Sequence, residues 1–134
     1  MNKRRFVWAS GCVLALSLLV GGVASAGTVS NTAVTFFTET NGQLSARGTL
    51  RVARNSADSN QLIGCSVYSY DTGSYSTVCY ARDASGATRS CSTGDANMVH
   101  VAQSINPASY VYFSINPDAS SCDRLIVVNY SSHL

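Results

Sequence analysis

Tyrosine is the residue type in this sequence best suited to recognising another molecule. Its ring offers flat apolar area with a polar tip and loses little conformational entropy on binding, which suits both protein interfaces and sugar stacking. Strand propensity combined with half-burial also accounts for tyrosines in a β protein. All seven fall on predicted strands or their edges: Tyr68, Tyr70, Tyr75, Tyr80, Tyr110, Tyr112 and Tyr130.

Four of these tyrosines alternate with apolar residues along predicted strands. Tyr110 and Tyr112 share a strand face, and the other face carries Val111, Phe113 and Ile115. Tyr68 and Tyr70 are arranged in the same way opposite Ile63, Cys65 and Val67. Because strand side chains alternate between faces, these four tyrosines are the predicted ligand-binding residues. Loss of an exposed ring changes stability by under about 0.5 kcal/mol, so Tyr110→Ala and Tyr112→Ala are expected to leave the melting curve nearly unchanged.

Catalytic chemistry has less support in the sequence. Nucleophilic catalysis needs an activated nucleophile, a base within hydrogen-bond reach and a group that orients the base. After residue 26 the histidines are His100, predicted to face solvent, and His133, and there is no Gly-x-Ser-x-Gly turn. A glycosidase-like carboxylate pair remains, but the aspartates fall mostly in turns or at element ends, where capping explains them. No catalytic residue or cofactor is predicted.

Four cysteines remain after residue 26, at Cys65, Cys79, Cys91 and Cys122. An even number in a small exported domain predicts two disulfides. The alternative is a four-thiolate zinc site, but no Cys-x-x-Cys spacing occurs, so no metal site is predicted. Of the three pairings, Cys65–Cys79 with Cys91–Cys122 is favoured, because the first two lie symmetrically about a predicted turn.

Asp58 and Asn60 have side-chain oxygens that suit calcium. No Asp-x-Asp-x-Asp-Gly run follows them, and turns use the same residue types for backbone hydrogen bonds. Residues 53–60 are therefore predicted to be a polar connector.

The elements that position these residues are predicted to be mostly strands. Asn41-Gly42 indicates a hairpin, because both residues accept positive φ in a tight turn. Alternation over residues 44–52 predicts a strand with Arg47 and Arg51 in solvent. Residues 61–93 are typical of a three-stranded meander, and the apolar run 125–128 predicts a central strand covered on both faces.

One segment changes to a helical period, with apolar residues at i, i+3, i+4 and i+7: Met98, Val101, Ala102 and Ile105. Asp95 is the expected N-cap, and Pro107 predicts that the helix ends at Asn106. The predicted fold is therefore mainly β, a β-rich α+β domain. It has about seven antiparallel strands, as a sandwich or small barrel, and one amphipathic helix near residues 95–105.

The first 26 residues have the three parts of a secretory signal peptide: a basic start, an apolar stretch over residues 13–20 and Ala24-Ser25-Ala26. The apolar run is shorter than the roughly 20 residues of a membrane helix. Cleavage would leave residues 27–134 as a single disulfide-stapled domain, secreted to the periplasm or outside the cell, with no membrane attachment. Its formal charge would change from +2 to about −1 and no lysine would remain, which argues against nucleic-acid binding.

A series of spaced residues carries a resemblance to a known group: Arg54, Ser56, Asp58, Gln61, Ile63-Gly64-Cys65, Cys79, Ala81, Asp83, Gly86, Cys91, Ser109-Tyr110, Phe113 and Cys122. The chain resembles small secreted bacterial proteins of unassigned function with a four-cysteine β domain. The resemblance covers most of residues 27–134 and implies no activity, ligand or catalytic residue. Arg54 and Asp83 are predicted to form a structural pair beside the meander.

The function predicted from the sequence is that of a secreted, non-catalytic binding domain. Its partner would be a protein or a cell-surface glycan. A small extracellular hydrolase is the alternative from a different class, and an inhibitor of an extracellular enzyme is a narrower form of the first. A carboxylate pair in a deep pocket would favour the hydrolase, whereas an exposed sheet face bearing tyrosine would favour binding.

Overall fold

Seven antiparallel strands in two open sheets confirm the predicted β-rich class, and the computed structural model describes residues 30–133. The strands are β1 (Thr35–Thr38), β2 (Leu44–Thr49), β3 (Leu62–Ser69), β4 (Tyr75–Arg82), β5 (Thr88–Thr93), β6 (Tyr110–Ile115) and β7 (Cys122–Val128). The helices are α1 (Leu50–Arg54), α2 (Ala96–Gln103) and a final 3₁₀ turn (Ser131–His133). One sheet has the order β1-β2-β6-β7 and the other the order β3-β4-β5.

The predicted signal peptide, residues 1–26, lies outside the described residues. Within residues 30–133, neither helix has the length and apolar character required to cross a bilayer.

Three hairpin turns share one geometry, in which the N–H of the fourth residue donates to the carbonyl of the first at 2.9–3.0 Å. The fourth residue is a glycine with positive φ each time: Gly42 (83°), Gly73 (77°) and Gly86 (86°). This is a type I turn followed by a left-handed glycine. The predicted hairpin at Asn41-Gly42 is therefore present, but positive φ falls on the glycine alone, because only Gly adopts it without a Cβ penalty.

β2 ends earlier than the alternation of residues 44–52 predicted. It stops at Thr49, and the next five residues form α1. The N–H of Leu50 donates to the carbonyl of Ser109 at 3.0 Å, which ties the start of α1 to the segment entering β6. Arg51 therefore lies on a helix and is half-buried, which corrects the prediction of a solvated strand residue.

α2 begins as predicted, because the Asp95 carboxylate accepts a hydrogen bond from the N–H of Met98 at 3.0 Å. Its two buried residues are Val99 and Ala102, so the buried face is rotated slightly from the predicted stripe. The predicted amphipathic helix near residues 95–105 is thus confirmed, with a small change in the residues that it buries.

The end of α2 at Gln103 precedes the predicted end at Asn106. Asn106 belongs to a separate turn, since its N–H donates to Ser109 Oγ at 2.8 Å and its carbonyl accepts from the Ser109 N–H at 3.0 Å. The chain leaves the helix early because this turn already uses the backbone groups of Asn106.

The apolar core lies between the two sheets, and Phe113 is its largest fully buried side chain. Gly48 allows the chain to approach Val34 closely, because a Cβ at this position would come within 3.1 Å of the Val34 side chain. The Arg89 guanidinium lies 5.4 Å from the ring centroid of Phe36. This cation–π contact covers the core where β1 and β5 approach each other.

β7 is an edge strand of the four-stranded sheet, which corrects the prediction of a central strand over residues 125–128. Leu125 is buried, whereas the next residue, Ile126, is 40% exposed on the opposite face. Because Ile126 is apolar although its face is exposed, residues 125–128 have the same sequence pattern as a strand covered on both faces.

Two disulfides connect these layers in the pairing that the sequence favoured. Cys65–Cys79 joins directly paired residues of β3 and β4. Cys91–Cys122 joins β5 to β7, one strand from each sheet, beside a single parallel bridge between Ser92 and Ser121. The second disulfide therefore holds the two sheets together.

Candidate functional site

The most exposed part of the described chain is the distal half of the β3–β4 hairpin. All ten residues 66–75 are exposed, and we refer to this segment as the Tyr/Ser hairpin. Four of the seven exposed large hydrophobic residues within the described chain belong to it: Val67, Tyr68, Tyr70 and Tyr75, at 37, 48, 51 and 42% exposure. Two of the predicted binding residues, Tyr68 and Tyr70, are thus accessible to a partner.

The Tyr/Ser hairpin projects beyond the core but is held at both ends. At its base, Cys65–Cys79 joins the two strands next to the exposed segment, since Cys79 is fully buried and Ser66 is exposed. At its tip, the N–H of Tyr70 donates to the carbonyl of Ser74 at 2.9 Å. The hairpin is therefore ordered before any partner arrives, which lowers the entropy lost on binding.

The composition of residues 66–75 is similar to that of antibody binding loops. The segment reads SVYSYDTGSY, with three tyrosines, three serines, one threonine, one glycine and a single charge at Asp71. Antibody binding loops are enriched in the same residues, because tyrosine supplies rigid amphipathic area while serine and glycine adapt to the partner.

Tyr110 and Tyr112 lie in a different setting, on the outer face of the four-stranded sheet. Both are half-buried. The Tyr112 hydroxyl donates to the Glu39 carboxylate and lies 3.2 Å from Ser45 Oγ. Ser45 is fully buried, and its hydroxyl also donates to Glu39 at 2.6 Å. Burial raises the pKa of Tyr110, and the Arg47 guanidinium opposes that rise. These hydroxyls serve the protein's own structure.

Arg47 completes this outer face. Its guanidinium lies 5.0 Å from the ring centroid of Phe37, and that ring lies 6.1 Å from the ring of Tyr112. Arg47 is exposed, as the sequence predicted, although its Nε also donates to Thr35 Oγ1 at 3.3 Å. Arg47, Phe37 and Tyr112 on this face therefore contact one another in series.

Glu39 sits in the centre of that network. Hydrogen bonds from Ser45 and Tyr112 hold the pKa of Glu39 below its usual value, with a further contribution from the Arg124 charge. A carboxylate in this environment remains ionised and accepts hydrogen bonds, which is the opposite of the raised pKa that a general acid requires.

Asp58 and Asn60, the calcium candidates, form a turn. Asp58 accepts from Gln61 Nε2 at 2.7 Å and from the backbone N–H groups of Asn60 and Gln61 at 2.8 and 3.1 Å. These bonds lower the pKa of Asp58 to about 2. Within residues 30–133, no three His, Cys, Asp or Glu side chains are grouped to hold a metal.

Arg54 and Asp83, the predicted structural pair, are not joined in the described structure. Asp83 accepts from Ser85 Oγ at 2.6 Å and from backbone N–H groups of its own turn, and these bonds lower the pKa of Asp83. The arginine that braces the meander is Arg82, whose Nε donates to the carbonyl of Asn60 at 2.6 Å. Arg54 is exposed on α1.

His100 is exposed on α2, as predicted, with Nδ1 3.3 Å from Gln103 Oε1. The side chain of His133 lies outside the structural description. Sequence reasoning missed Val67 and Tyr75 as members of the exposed surface. Their signal was present in the composition of residues 66–75, where eight of the ten residues are Tyr, Ser, Thr or Gly and Val67 is the one aliphatic residue.

No protein-family model, curated protein or solved structure matches this chain. The geometry of the Tyr/Ser hairpin and of the outer face is therefore the basis for assigning a function.

Proposed function

We propose that the protein is an exported, non-catalytic domain that binds another protein through the Tyr/Ser hairpin. The observation that carries the proposal is the exposure of ten consecutive residues that include three tyrosines and Val67. Exposed apolar area concentrated in one element marks an interaction surface more often than scattered apolar residues do.

The shape of the hairpin favours a protein as the partner over a glycan. Val67 and Tyr68 are adjacent on β3, so they point to opposite faces of the hairpin, and both are exposed. A partner that uses both residues must surround the hairpin on two sides. A sugar ring stacks on one aromatic face and would leave the other side of the hairpin unused.

Two further observations support an exported location. The chain closes two disulfides, which persist in oxidising compartments. The predicted signal peptide supplies a route to such a compartment.

The test is retention of the exported protein's partners on immobilised wild type and variants. A Tyr68→Ser/Tyr70→Ser double variant is compared with Tyr130→Ser, because Tyr130 is 71% exposed but lies outside the hairpin. Envelope and secreted proteins of the producing cell are passed over each. We expect a protein that wild type and Tyr130→Ser retain equally and that the double variant binds at least about 30-fold more weakly, as for loss of a binding hot spot.

Circular dichroism melts check that the double variant remains folded. Equal retention by all three proteins contradicts the proposal, as does equal loss from both variants. If the captured protein is an enzyme that the domain blocks, the binding function takes the form of an inhibitor.

A further inference from the structure

We propose that the partner adds the last residues of its own chain as an extended strand along the free edge of β3. Its terminal apolar side chain would enter a groove at the start of β3, and its terminal carboxylate would meet Arg54. This inference rests on the proposed function, since β3 forms one arm of the Tyr/Ser hairpin.

The register of β3 determines which backbone groups face outward. Cys65 and Cys79 are directly opposed with a Cα–Cα distance of 4.0 Å, which is the close spacing of a pair that does not exchange backbone hydrogen bonds. The backbone N–H and C=O groups of Cys65 therefore point away from β4. By the same alternation, so do those of Val67 and Ser69, and no described residue bonds to them.

The edge of β3 lacks the features that protect other sheet edges. From Leu62 to Ser69 it has no charge, no proline and no irregularity in its pairing with β4. By comparison, β7 carries Asp123 and Arg124 and a register shift, and β1 has only four residues. Long, uncharged and regular edges are templates for an added strand.

A groove of about 490 Å³ lies at the beginning of this edge. It is formed between α1, the start of β3 and the segment that follows α2. Its lining is mainly apolar: Leu50, Ala53, Arg54, Gln61, Leu62, Ile63, Ile105, Asn106 and Pro107. Leu62 is 48% exposed, so apolar surface continues from the groove along β3. The groove is large enough to accept an aliphatic or aromatic side chain.

Strand direction and charge identify which end of the partner enters the groove. A strand added antiparallel to β3 finishes beside Leu62, so its C-terminus arrives at the groove. Arg54 lines the groove and is exposed, and its guanidinium makes no hydrogen bond or ion pair with any described residue. Among the lining residues no side chain is acidic. A carboxylate is the complement of this free guanidinium, and the arrangement favours a two-point contact.

A second copy of this chain is a weaker occupant for the same edge. Two paired β3 edges would gain backbone hydrogen bonds along Leu62–Ser69 but would leave the groove and Arg54 unoccupied. A peptide tail gains the groove and the cation in addition to the backbone bonds.

The test uses two octapeptide libraries, one with a free C-terminal carboxylate and one with a C-terminal amide. Both are randomised over uncharged residues at the last four positions and labelled at the N-terminus for fluorescence anisotropy. We expect the free-acid library to bind wild type and the amide library to bind at least about tenfold more weakly. Peptides selected from the free-acid library should end in an apolar residue.

Two pairs of variants locate the binding. Arg54→Gln should weaken the selected free-acid peptide about tenfold, whereas Arg51→Gln should not, because Arg51 lines a different cleft on the same helix. Val67→Pro removes an outward N–H without touching the β3–β4 bonds and should reduce binding at least tenfold. If the proline variant does not fold, Val67→Lys replaces it. The added charge on the edge of β3 should also reduce peptide binding at least about tenfold.

Each contrary result overturns the inference in a defined way. Equal binding of the two libraries excludes the carboxylate contact, and binding by neither excludes strand addition. Self-association of the free protein that Val67→Pro abolishes would assign the edge to a second copy. Loss of partner retention in Tyr68→Ser/Tyr70→Ser without any peptide binding would leave the proposed function intact and reject only this mode.

Discussion

Tyr112 and Tyr68 look alike in the sequence and differ in the folded protein. Each alternates with apolar residues on a strand, and each points away from the core. Tyr112 lies on β6, which has a neighbour on both sides, and its hydroxyl is used by Glu39 and Ser45. Tyr68 lies on β3, an edge strand, and is 48% exposed.

The difference shows that the position of a strand in its sheet decides whether an outward ring is available. On a central strand, side chains of both neighbouring strands surround the ring and supply polar partners for the hydroxyl. On the projecting part of an edge strand, one neighbour is absent and fewer side chains surround the ring. The same residue type therefore stabilises one sheet and exposes a surface on the other.

The largest expected effect comes from removing the disulfides, which act on the two regions differently. Cys91–Cys122 spans 31 residues and Cys65–Cys79 spans 14. Loop-closure entropy predicts losses of about 4 and about 3 kcal/mol in the free energy of unfolding. Urea denaturation of Cys91→Ala/Cys122→Ala and Cys65→Ala/Cys79→Ala measures both.

The Cys65→Ala/Cys79→Ala variant should in addition bind the partner more weakly than wild type. Without this disulfide, the Tyr/Ser hairpin is ordered only on binding. A larger loss of unfolding free energy in Cys65→Ala/Cys79→Ala than in Cys91→Ala/Cys122→Ala would contradict this account.

A smaller effect separates the two tyrosines directly. Tyr112→Ala should lower the free energy of unfolding by about 2 kcal/mol, because it removes a half-buried ring and leaves buried Ser45 with one partner fewer. Tyr68→Ala should change it by under about 0.5 kcal/mol. Thermal melts of the two variants provide the comparison. Equal stability of both variants would show that the outer-face network contributes nothing, which is what the sequence alone predicted for Tyr112.

The smallest effect concerns the exposed carboxylate of Asp58, which links the start of β3 to the other sheet. Gln61 donates to Asp58 at 2.7 Å and accepts from the Val34 N–H at 2.8 Å. The pKa of Asp58 is about 2 in the fold against an ordinary 3.8. The contribution of the ionised Asp58 carboxylate to the free energy of unfolding is therefore complete above pH 3.8. It is lost as the pH falls through about 2.

Melting temperatures of wild type and Asp58→Asn between pH 5 and pH 2 test this linkage. Wild type should lose stability relative to the variant as the pH falls, since the asparagine side chain does not titrate in this range. Parallel curves would mean that the Asp58–Gln61–Val34 chain does not support the fold.

Much of the fold could be predicted because local chemistry determines it. The glycines at 42, 73 and 86 specify their turns, Asp95 caps α2, and the alternation in β6 identifies its buried face. The failures arose where distant residues intervened. Ser109 ties the start of α1 and also redirects the chain after α2, and neither contact is visible in local patterns.

The candidate site could be predicted only in part, because local patterns do not show which strands lie side by side. Alternation identified all four tyrosines as outward-facing, but it carries no information about sheet order. Sheet order places β6 in the interior of one sheet and β3 at the edge of the other. The groove at Arg54 was also invisible, because it unites three segments that are separated along the chain.

Cys65–Cys79 has a further consequence for cleavage of the chain by a protease. An exposed hairpin tip with small polar residues is the preferred position for peptide-bond cleavage. A cut anywhere in residues 66–75 falls between these two cysteines, so the fragments stay covalently joined and the core beneath them keeps both strands. Cys91–Cys122 protects the turn at residues 116–121 in the same way. A cut in the Tyr/Ser hairpin therefore leaves the rest of the domain covalently intact.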